Sequence, residues 1–272
     1  MKEIYTAIIP VRAGSKRIKD KNIQPFADSN LLIHKIRQLK KVKEIDNIVV
    51  SSDSEIMLQM AKSEGVNIHK RELKYADEKS TTFNEVVINI LSNLEGDHIM
   101  WVPCVCPLID EHILEDVIIT YKNYVVNSNK YDSILTAKLI KEYIWDSEKP
   151  LNYSLTNHVI SQNLPNWYVV VNGAYIAKKE TMLSIKHVIG NTPYIYEVDK
   201  ISSIDIDDKY DLEIARLLYK SRAEQSRAEQ SRAEQSRAEQ SRAEQSRAEQ
   251  SRAIIMVLYS MIICVYYRQL LL

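Results

Sequence analysis

Short apolar runs alternate with longer segments of helical spacing along the first half of the chain. The runs lie at residues 4–11, 47–51 and 98–102, and helical spacing is found at 31–42, 55–65 and 81–96. Runs that are apolar throughout are typical of parallel strands buried on both faces. The alternation therefore predicts an α/β fold with three layers, in which helices cover a doubly wound, mostly parallel, Rossmann-like sheet.

The pattern loosens from Ser133 onward. Residues 133–145 predict a long strand, 146–154 a turn, and 166–178 a strand that is interrupted at Asn172-Gly173. The segment 201–220 predicts a short strand, an acidic turn and a final helix. These elements complete one domain over residues 1–220.

Five cations cluster in the loop that follows the first apolar run. They surround Gly14 and Ser15, and they are Arg12, Lys16, Arg17, Lys19 and Lys21. Residues 1–220 hold 28 cationic residues, including these five, and 30 acidic residues, and this balance gives no reason to expect a nucleic-acid partner. A glycine-containing basic loop at the carboxyl end of a strand predicts a phosphate site, although it lacks the P-loop spacing. The alternative is an exposed loop that only keeps the protein soluble.

The cysteines and histidines show no pattern of a metal site. The chain has three cysteines, Cys104, Cys106 and Cys264. Because this number is odd, and two of them are one residue apart, we expect neither a disulfide framework nor a zinc site. The six histidines are scattered without metal-ligand spacing, and we assign them no role. The first residues lack the apolar core of a signal peptide, which predicts a cytoplasmic protein.

Residues 8–22 resemble the R-x-G-S-K-x-[IL]-x-x-K-N signature of the acylneuraminate cytidylyltransferases, also called CMP-sialic acid synthetases. Four further segments are similar to motifs of that family and occur in the same order. They are 49–56, 71–82, 171–177 and 203–215. The resemblance covers residues 1–220 and implies a nucleotidyltransferase fold.

The resemblance implies transfer of CMP from CTP to an acidic sugar, with release of pyrophosphate. N-acetylneuraminate or a related nonulosonate, used for surface polysaccharide, is the implied acceptor. Arg12, Lys21 and Asp207 are implied as catalytic residues, with Lys21 on the charge that develops at the α-phosphate. The implied nucleotide-binding residues are Arg12, Ala13, Gly14, Ser15, Asn22, Arg71, Asp77, Ser80 and Thr81. The implied acceptor-binding residues are Lys138, Asn172 and Gly173.

Asp205 and Asp207 are implied as ligands of Mg²⁺. Two carboxylates at positions i and i+2 of a strand point to the same face, and Mg²⁺ prefers such hard oxygen ligands. A cation loop facing an acidic metal site suits a transfer that depends on positioning and charge neutralisation. The alternative is a solvated turn in which Asp208 caps the last helix.

The chain departs from the family pattern on the acceptor side. Pro103, Cys104 and Cys106 lie where the family has Gln-Pro-Thr-Ser, and Ile109 replaces an arginine that often follows. We expect both cysteines to be packed thiols rather than nucleophiles. Two alternatives are therefore retained: CMP transfer to another acid, such as 3-deoxy-octulosonate or a phosphonate-type acceptor, or a catalytically weak interaction protein. Lys138 and Lys141 could meet an acceptor carboxylate or form an ordinary exposed strand edge.

The segment 138–166 lies where the resembled enzymes extend an arm into a partner subunit. Its aromatic residues, among them Tyr143 and Trp145, suit such a contact. We therefore expect a homodimer.

Residues 221–252 are six copies of Ser-Arg-Ala-Glu-Gln followed by Ser-Arg. A five-residue period rotates the alanines around a helix axis, so the repeat is predicted to be a solvated helix or disordered. We hypothesise that the codons of the repeat form a tract of the pentanucleotide AGAGC, in which all three forward reading frames encode the same repeat. The apolar tail 253–272 would then depend on the reading frame in which the tract ends. The gene sequence tests this hypothesis. The uncharged run Ile254–Tyr267 is shorter than the roughly twenty residues that cross a bilayer. Membrane association is thus expected through this tail or not at all.

Overall fold

The computed structural model describes residues 2–77 and 81–269, and this part of the chain contains nine strands and six α-helices. The strands are β1 (Tyr5–Pro10), β2 (Pro25–Phe26), β3 (Ser29–Asn30), β4 (Asn47–Ser52), β5 (Asn67–Lys70), β6 (His98–Trp101), β7 (Ser133–Ile140), β8 (Trp167–Lys178) and β9 (Pro193–Glu197). The α-helices are α1 (Leu31–Leu39), α2 (Glu55–Ser63), α3 (Phe83–Ser92), α4 (Glu111–Tyr121), α5 (Lys179–Ile185) and α6 (Lys209–Gln269). Shorter helical turns lie at Lys21–Ile23, Leu73–Ala76, Lys122–Val126 and Ser161–Asn163.

Seven strands form one sheet in the order β5-β4-β1-β6-β8-β7-β9, while β2 and β3 form a separate small ribbon. β1 pairs in parallel with β4 and β6, and β4 with β5. β8 runs antiparallel to both of its neighbours, β6 and β7, and β9 is parallel to β7. The predicted mostly parallel α/β sheet is confirmed.

The core lies on both faces of this sheet. Along β1, Ala7 and Ile9 face one apolar cluster and Ile8 faces the other, as the period of two in a strand requires. The first cluster receives α1, α2, α4 and the beginning of α6, and the second receives α3 and α5. Helices on both faces explain why the apolar runs showed no alternation with polar residues.

β8 is continuous, but its pairing with β7 shifts register between Leu135 and Ala137, opposite Asn172-Gly173. The hydroxyl of Thr136 accepts from the Ala174 amide at 3.0 Å and lies 2.9 Å from the Val171 carbonyl, to which it donates. A Cβ on Gly173 would lie 2.0 Å from Cδ1 of Ile109, so only glycine fits at this position. The predicted interruption is therefore a bulge within one strand.

The prediction of a short strand ahead of the acidic turn is wrong, since residues 201–208 contain no strand. The Asp199 carboxylate accepts from the backbone amides of Ile201 and Ser202, which bends the chain into turns instead. Asp208 accepts from the amides of Tyr210 and Asp211 and so caps the beginning of α6. Capping by Asp208 and a binding role for Asp205 and Asp207 thus coexist.

The segment after β7 turns earlier than expected, because the strand ends at Ile140 rather than continuing to 145. The predicted turn is present: Asp146 accepts from the amides of Glu148 and Lys149. The ring of Tyr143 lies 4.9 Å from that of Tyr153. The assignment of 138–166 as a dimerisation arm stays a prediction.

The repeat lies in a second unit that begins at Lys220, after a first unit that ends at Tyr219. In the described residues the repeat is helical, as part of α6. Gln225 donates to Glu229 one turn later at 3.1 Å, and the described repeat side chains are mostly exposed. Among the described residues, no helix has the length and apolarity needed to cross a membrane.

Two neighbouring isoleucines of α4 test the layered core. Ile118 is fully buried, whereas Ile119 is 47% exposed. Ile118→Ala should lower the free energy of unfolding by about 2–5 kcal/mol because it leaves a cavity. Ile119→Ala should change it by less than about 0.5 kcal/mol. Urea denaturation followed by circular dichroism measures both, and equal effects would contradict the assignment of faces.

Candidate functional site

A cleft of about 910 Å³ opens where β1 and β6 end. Pro10 and Trp101, the last residues of these strands, lie in its wall. Ligand sites of open α/β sheets form at this carboxyl edge. The cleft is lined by the basic loop, by residues 75–77, 81–83 and 86, by Val170, Asn172 and Tyr175 of β8, by residues 187–189, and by Asp207.

The basic loop is shaped by backbone contacts at its two ends. Gly14 has a φ of +73°, in the left-handed region that favours glycine. The Ala13 amide donates to Asp53 at 3.0 Å, and the side-chain amide of Asn22 donates to the Arg12 carbonyl at 3.1 Å. The Arg12 guanidinium reaches across to the Ala76 carbonyl at 3.1 Å. These bonds fold the loop over the cleft rather than away from it.

The acidic turn meets the basic loop at one end of the cleft. Nζ of Lys21 donates to the Ile206 carbonyl at 2.7 Å and lies 3.8 Å from the Asp207 carboxylate. The same carboxylate is 2.7 Å from the guanidinium of Arg17. The predicted juxtaposition of Lys21 and Asp207 is therefore present in the structure.

Asp205 lies behind Asp207 and contacts β8. Its carboxylate accepts from the side-chain amide of Asn172 at 2.7 Å, and the side-chain oxygen Oδ1 of Asn172 accepts from the Tyr175 hydroxyl at 2.8 Å. Burial raises the pKa of Asp205, the hydrogen bond from Asn172 opposes this rise, and Asp207 adds to it. Carboxylate oxygens are the ligands that hard divalent cations prefer.

Arg71 forms a buried wall of the cleft and is only 6% exposed. Its guanidinium donates to the Val11 carbonyl and its backbone amide to the Ser52 carbonyl, so it joins the ends of β1 and β4. Burial lowers the pKa of Arg71, and Asp53 opposes this. Asp77 and Thr81 line the same wall, where the Thr81 amide donates to the Asp77 carbonyl at 3.1 Å.

Most predicted site residues meet in this cleft. Arg12, Ser15, Lys21, Asn22, Arg71, Asp77, Thr81, Asn172 and Asp207 line it. Ala13, Gly14, Asp205, Lys138 and Gly173 do not belong to its lining. Lys138 lies on β7 opposite Val169, and Lys141 donates to the Leu164 carbonyl. Ser80 lies outside the described residues.

Several lining residues were not identified from the sequence. Phe83, the first residue of α3, contacts the Trp101 and His187 rings edge-on, with centroids 5.9 and 5.4 Å away. His187 was given no role, yet it lines the cleft beside Val188. The position of Trp101 at the end of a parallel strand was a usable signal. His187 lies in a loop that follows α5, and no sequence pattern indicates that it lines the cleft.

Cys104 and Cys106 are buried in the loop after β6, beyond the end of the strand at Trp101. The Cys104 thiol donates to the side-chain oxygen of Asn22 at 3.3 Å. Burial raises the pKa of Cys104 to about 12 and that of Cys106 well above its ordinary value. Such thiols are poor nucleophiles.

A sequence profile described as cytidylyltransferase matches residues 6–254. N-acylneuraminate cytidylyltransferase of Escherichia coli O18:K1:H7 is 30% identical over 236 residues, which are 83% of this chain and 54% of that protein. Pseudaminic acid cytidylyltransferase of Campylobacter jejuni is 26% identical over 232 residues, 80% of this chain and 97% of that protein. The chain thus spans about half of the first relative and nearly all of the second.

Two solved structures share the fold. CMP-2-keto-3-deoxy-manno-octonic acid synthetase, complexed with CTP, superposes with a TM-score of 0.60 at 11% identity, over 80% of this chain and 99% of that one. 4-Diphosphocytidyl-2C-methyl-D-erythritol synthase of Anaerococcus prevotii superposes with a TM-score of 0.59 at 16% identity, over 80% of this chain and 99% of that one. At these identities the likeness concerns architecture alone.

The buried thiols lead to a labelling prediction. At pH 8, iodoacetamide should leave Cys104 and Cys106 unmodified in the native protein and should modify both after unfolding in urea, because the thiolate is the reactive form. Mass spectrometry of the digested protein reads each cysteine separately. Rapid native labelling of either would contradict the packing described above.

Proposed function

The chain belongs to the cytidylyltransferase family, and we propose that it transfers CMP from CTP to a hydroxyl group of an acidic sugar. The observation that carries this proposal is the meeting of the basic loop with Asp207 at the carboxyl edge of the sheet. A triphosphate bound on the loop would lie beside the carboxylates of Asp205 and Asp207. The acceptor oxygen would form a bond to the α-phosphorus as the bond to the β-phosphate oxygen breaks, and pyrophosphate would leave.

The charged side chains have separable roles in this proposal. Arg12 and Lys21 would bind the phosphates, and Lys21 would stabilise the charge that develops at the α-phosphate. Lys21 is held for this role by the Ile206 carbonyl, so it approaches the cleft in a fixed position. Asn22, Arg71 and Thr81 would contact the rest of the nucleotide.

The donor set fits Mg²⁺. The described residues contain no group of three or more His, Cys, Asp or Glu side chains arranged to hold a metal. Mg²⁺ usually takes only one or two carboxylates and completes its shell with water and substrate phosphates. Asp205 and Asp207 would hold the ion, which supplies neutralisation of the triphosphate charge when bound. Asn172 would keep the Asp205 carboxylate oriented.

The acceptor is proposed to be a nonulosonate such as N-acetylneuraminate or pseudaminate. The curated relatives named for these sugars support this choice. Transfer to 3-deoxy-octulosonate or a phosphonate-type acid is retained as the alternative, because the strand-end sequence at Pro103 and Cys106 departs from the resembled pattern. The meeting of Lys21 with Asp207 argues against a catalytically weak interaction protein. A role in surface polysaccharide synthesis, in the cytoplasm and as a homodimer, is part of the same proposal.

The proposal is tested by pyrophosphate release from CTP and Mg²⁺ with N-acetylneuraminate, pseudaminate and 3-deoxy-octulosonate, each supplied separately. Release with one acceptor is expected and would identify the substrate. Isothermal titration calorimetry measures the binding of CTP separately from its turnover. Failure of CTP to bind would overturn the proposal, whereas binding without release would reject these three acceptors.

Neighbouring aspartates of the acidic turn allow a matched comparison. Asp207→Asn should lower kcat by about 100-fold or more, because the neutral amide does not offset the charges of Lys21 and Arg17 and is a weaker ligand for a cation than a carboxylate. Asp208→Asn should leave kcat unchanged, since Asp208 caps α6 and asparagine is an equally good N-cap. Full turnover by the Asp207 variant would refute its catalytic assignment.

A further inference from the structure

Lys35 is a lysine with no exposed surface. It lies on α1, and its ammonium group donates to the carbonyl oxygens of Ile109 at 2.7 Å and Cys106 at 3.1 Å. Lysine is almost never fully buried unless its charge is paired or hydrogen-bonded. Here its partners are backbone carbonyls of the loop that follows β6.

The loop, residues 102–110, needs such donors because most of it is buried. Carbonyl groups that cannot reach water must find hydrogen-bond partners within the protein. Two further side chains of α1 bind the same loop: Gln38 donates to the Pro107 carbonyl at 2.9 Å, and Nε2 of His34 lies 3.3 Å from it. One face of α1 therefore fixes the path of this loop.

The same loop contacts the site at three points. Its Val105 carbonyl accepts from the Ile206 amide at 2.9 Å, directly before Asp207. Its Cys104 thiol donates to Asn22, and its Ile109 side chain packs on Gly173, next to Asn172. The loop thereby joins the acidic turn, the basic loop and the bulge of β8.

We propose that Lys35 is a positioning residue for nucleotidyl transfer. By anchoring the Cys106 and Ile109 carbonyls, it fixes the loop on which the Ile206 amide depends, and so places Asp205 and Asp207 relative to Lys21. This inference rests on the proposed function for its kinetic consequence. Its structural consequence, an ordered acidic turn, is independent of the reaction.

The cost of burying Lys35 argues against a role in stability alone. Burial lowers the pKa of Lys35 to about 8, and the nearby Cys106, Cys104, Asp110 and Glu111 oppose this only in part. An apolar side chain of similar length often stabilises a core as well as a buried charge does, or better. Methionine, however, provides no donor for the two carbonyls. The geometry thus favours retention of the ammonium group for placement of the loop.

The test is Lys35→Met in the full-length chain, with Ile36→Val as the matched control on the same helix. Hydrogen–deuterium exchange of the isolated protein is measured first. In Lys35→Met the Ile206 amide should exchange about tenfold faster than in the wild type, because its acceptor loop is released. Ile36→Val, which removes one methylene from the same core, should leave that amide unchanged.

Kinetics give the second reading. Lys35→Met should lower kcat by about 10- to 100-fold and raise the Mg²⁺ concentration for half-maximal rate, while KM for CTP stays within about threefold. Lys35→Gln, which keeps an N–H donor group on a shorter and uncharged side chain, should have an intermediate kcat and serves if the methionine variant does not fold. A lower melting temperature with unchanged exchange at Ile206 would overturn the proposal, as would unchanged kcat. If the wild type does not bind CTP, the proposed function fails, and the exchange result still decides the role of Lys35.

Discussion

Lys21 joins two parts of the chain that are 185 residues apart, and the cleft depends on this contact. Its ammonium group donates to the Ile206 carbonyl and approaches Asp207, while Arg17 contacts the same carboxylate. Cations brought together on one loop repel each other unless a negative charge lies nearby. The acidic turn supplies that charge, and a bound triphosphate would extend the same balance. Under the proposed function, binding of the triphosphate and of a metal ion would therefore be coupled at this end of the cleft.

The contact is maintained from behind by buried polar groups. The loop 102–110 crosses beneath the site, and its carbonyls are bound by α1 on one side and by the Ile206 amide on the other. Asp205 is fixed by Asn172, which in turn accepts from Tyr175. Hydrogen bonds of this kind are costly to leave unmade in a core, so they define one arrangement of the site. The reacting groups are thus held by rigid elements, although they lie on loops.

The sheet and much of the site followed from the sequence, because parallel strands buried on both faces have a distinct apolar signal and place their loops at one edge. The basic loop and the Asp207 turn were found in this way and through the family resemblance. The short strand predicted ahead of the acidic turn is absent, because Asp199 forms local hydrogen bonds that compete with a sheet. The burial of Lys35 could not be predicted from the sequence, because a lysine in an amphipathic helix is ordinarily exposed. Lys138 is expected near the acceptor, but it lies on β7 opposite Val169 and outside the cleft lining.

We propose that the basic loop and the aspartate pair form one binding site for a nucleoside triphosphate and its metal ion. The most direct measurement is a crystal structure of the full chain with CTP and Mn²⁺, with anomalous scattering recorded near the manganese edge. We expect one anomalous peak within coordination distance of carboxylate oxygens of Asp205 and Asp207, with the triphosphate in contact with Arg12 and Lys21. A triphosphate bound elsewhere, or a manganese peak away from both carboxylates, would contradict it.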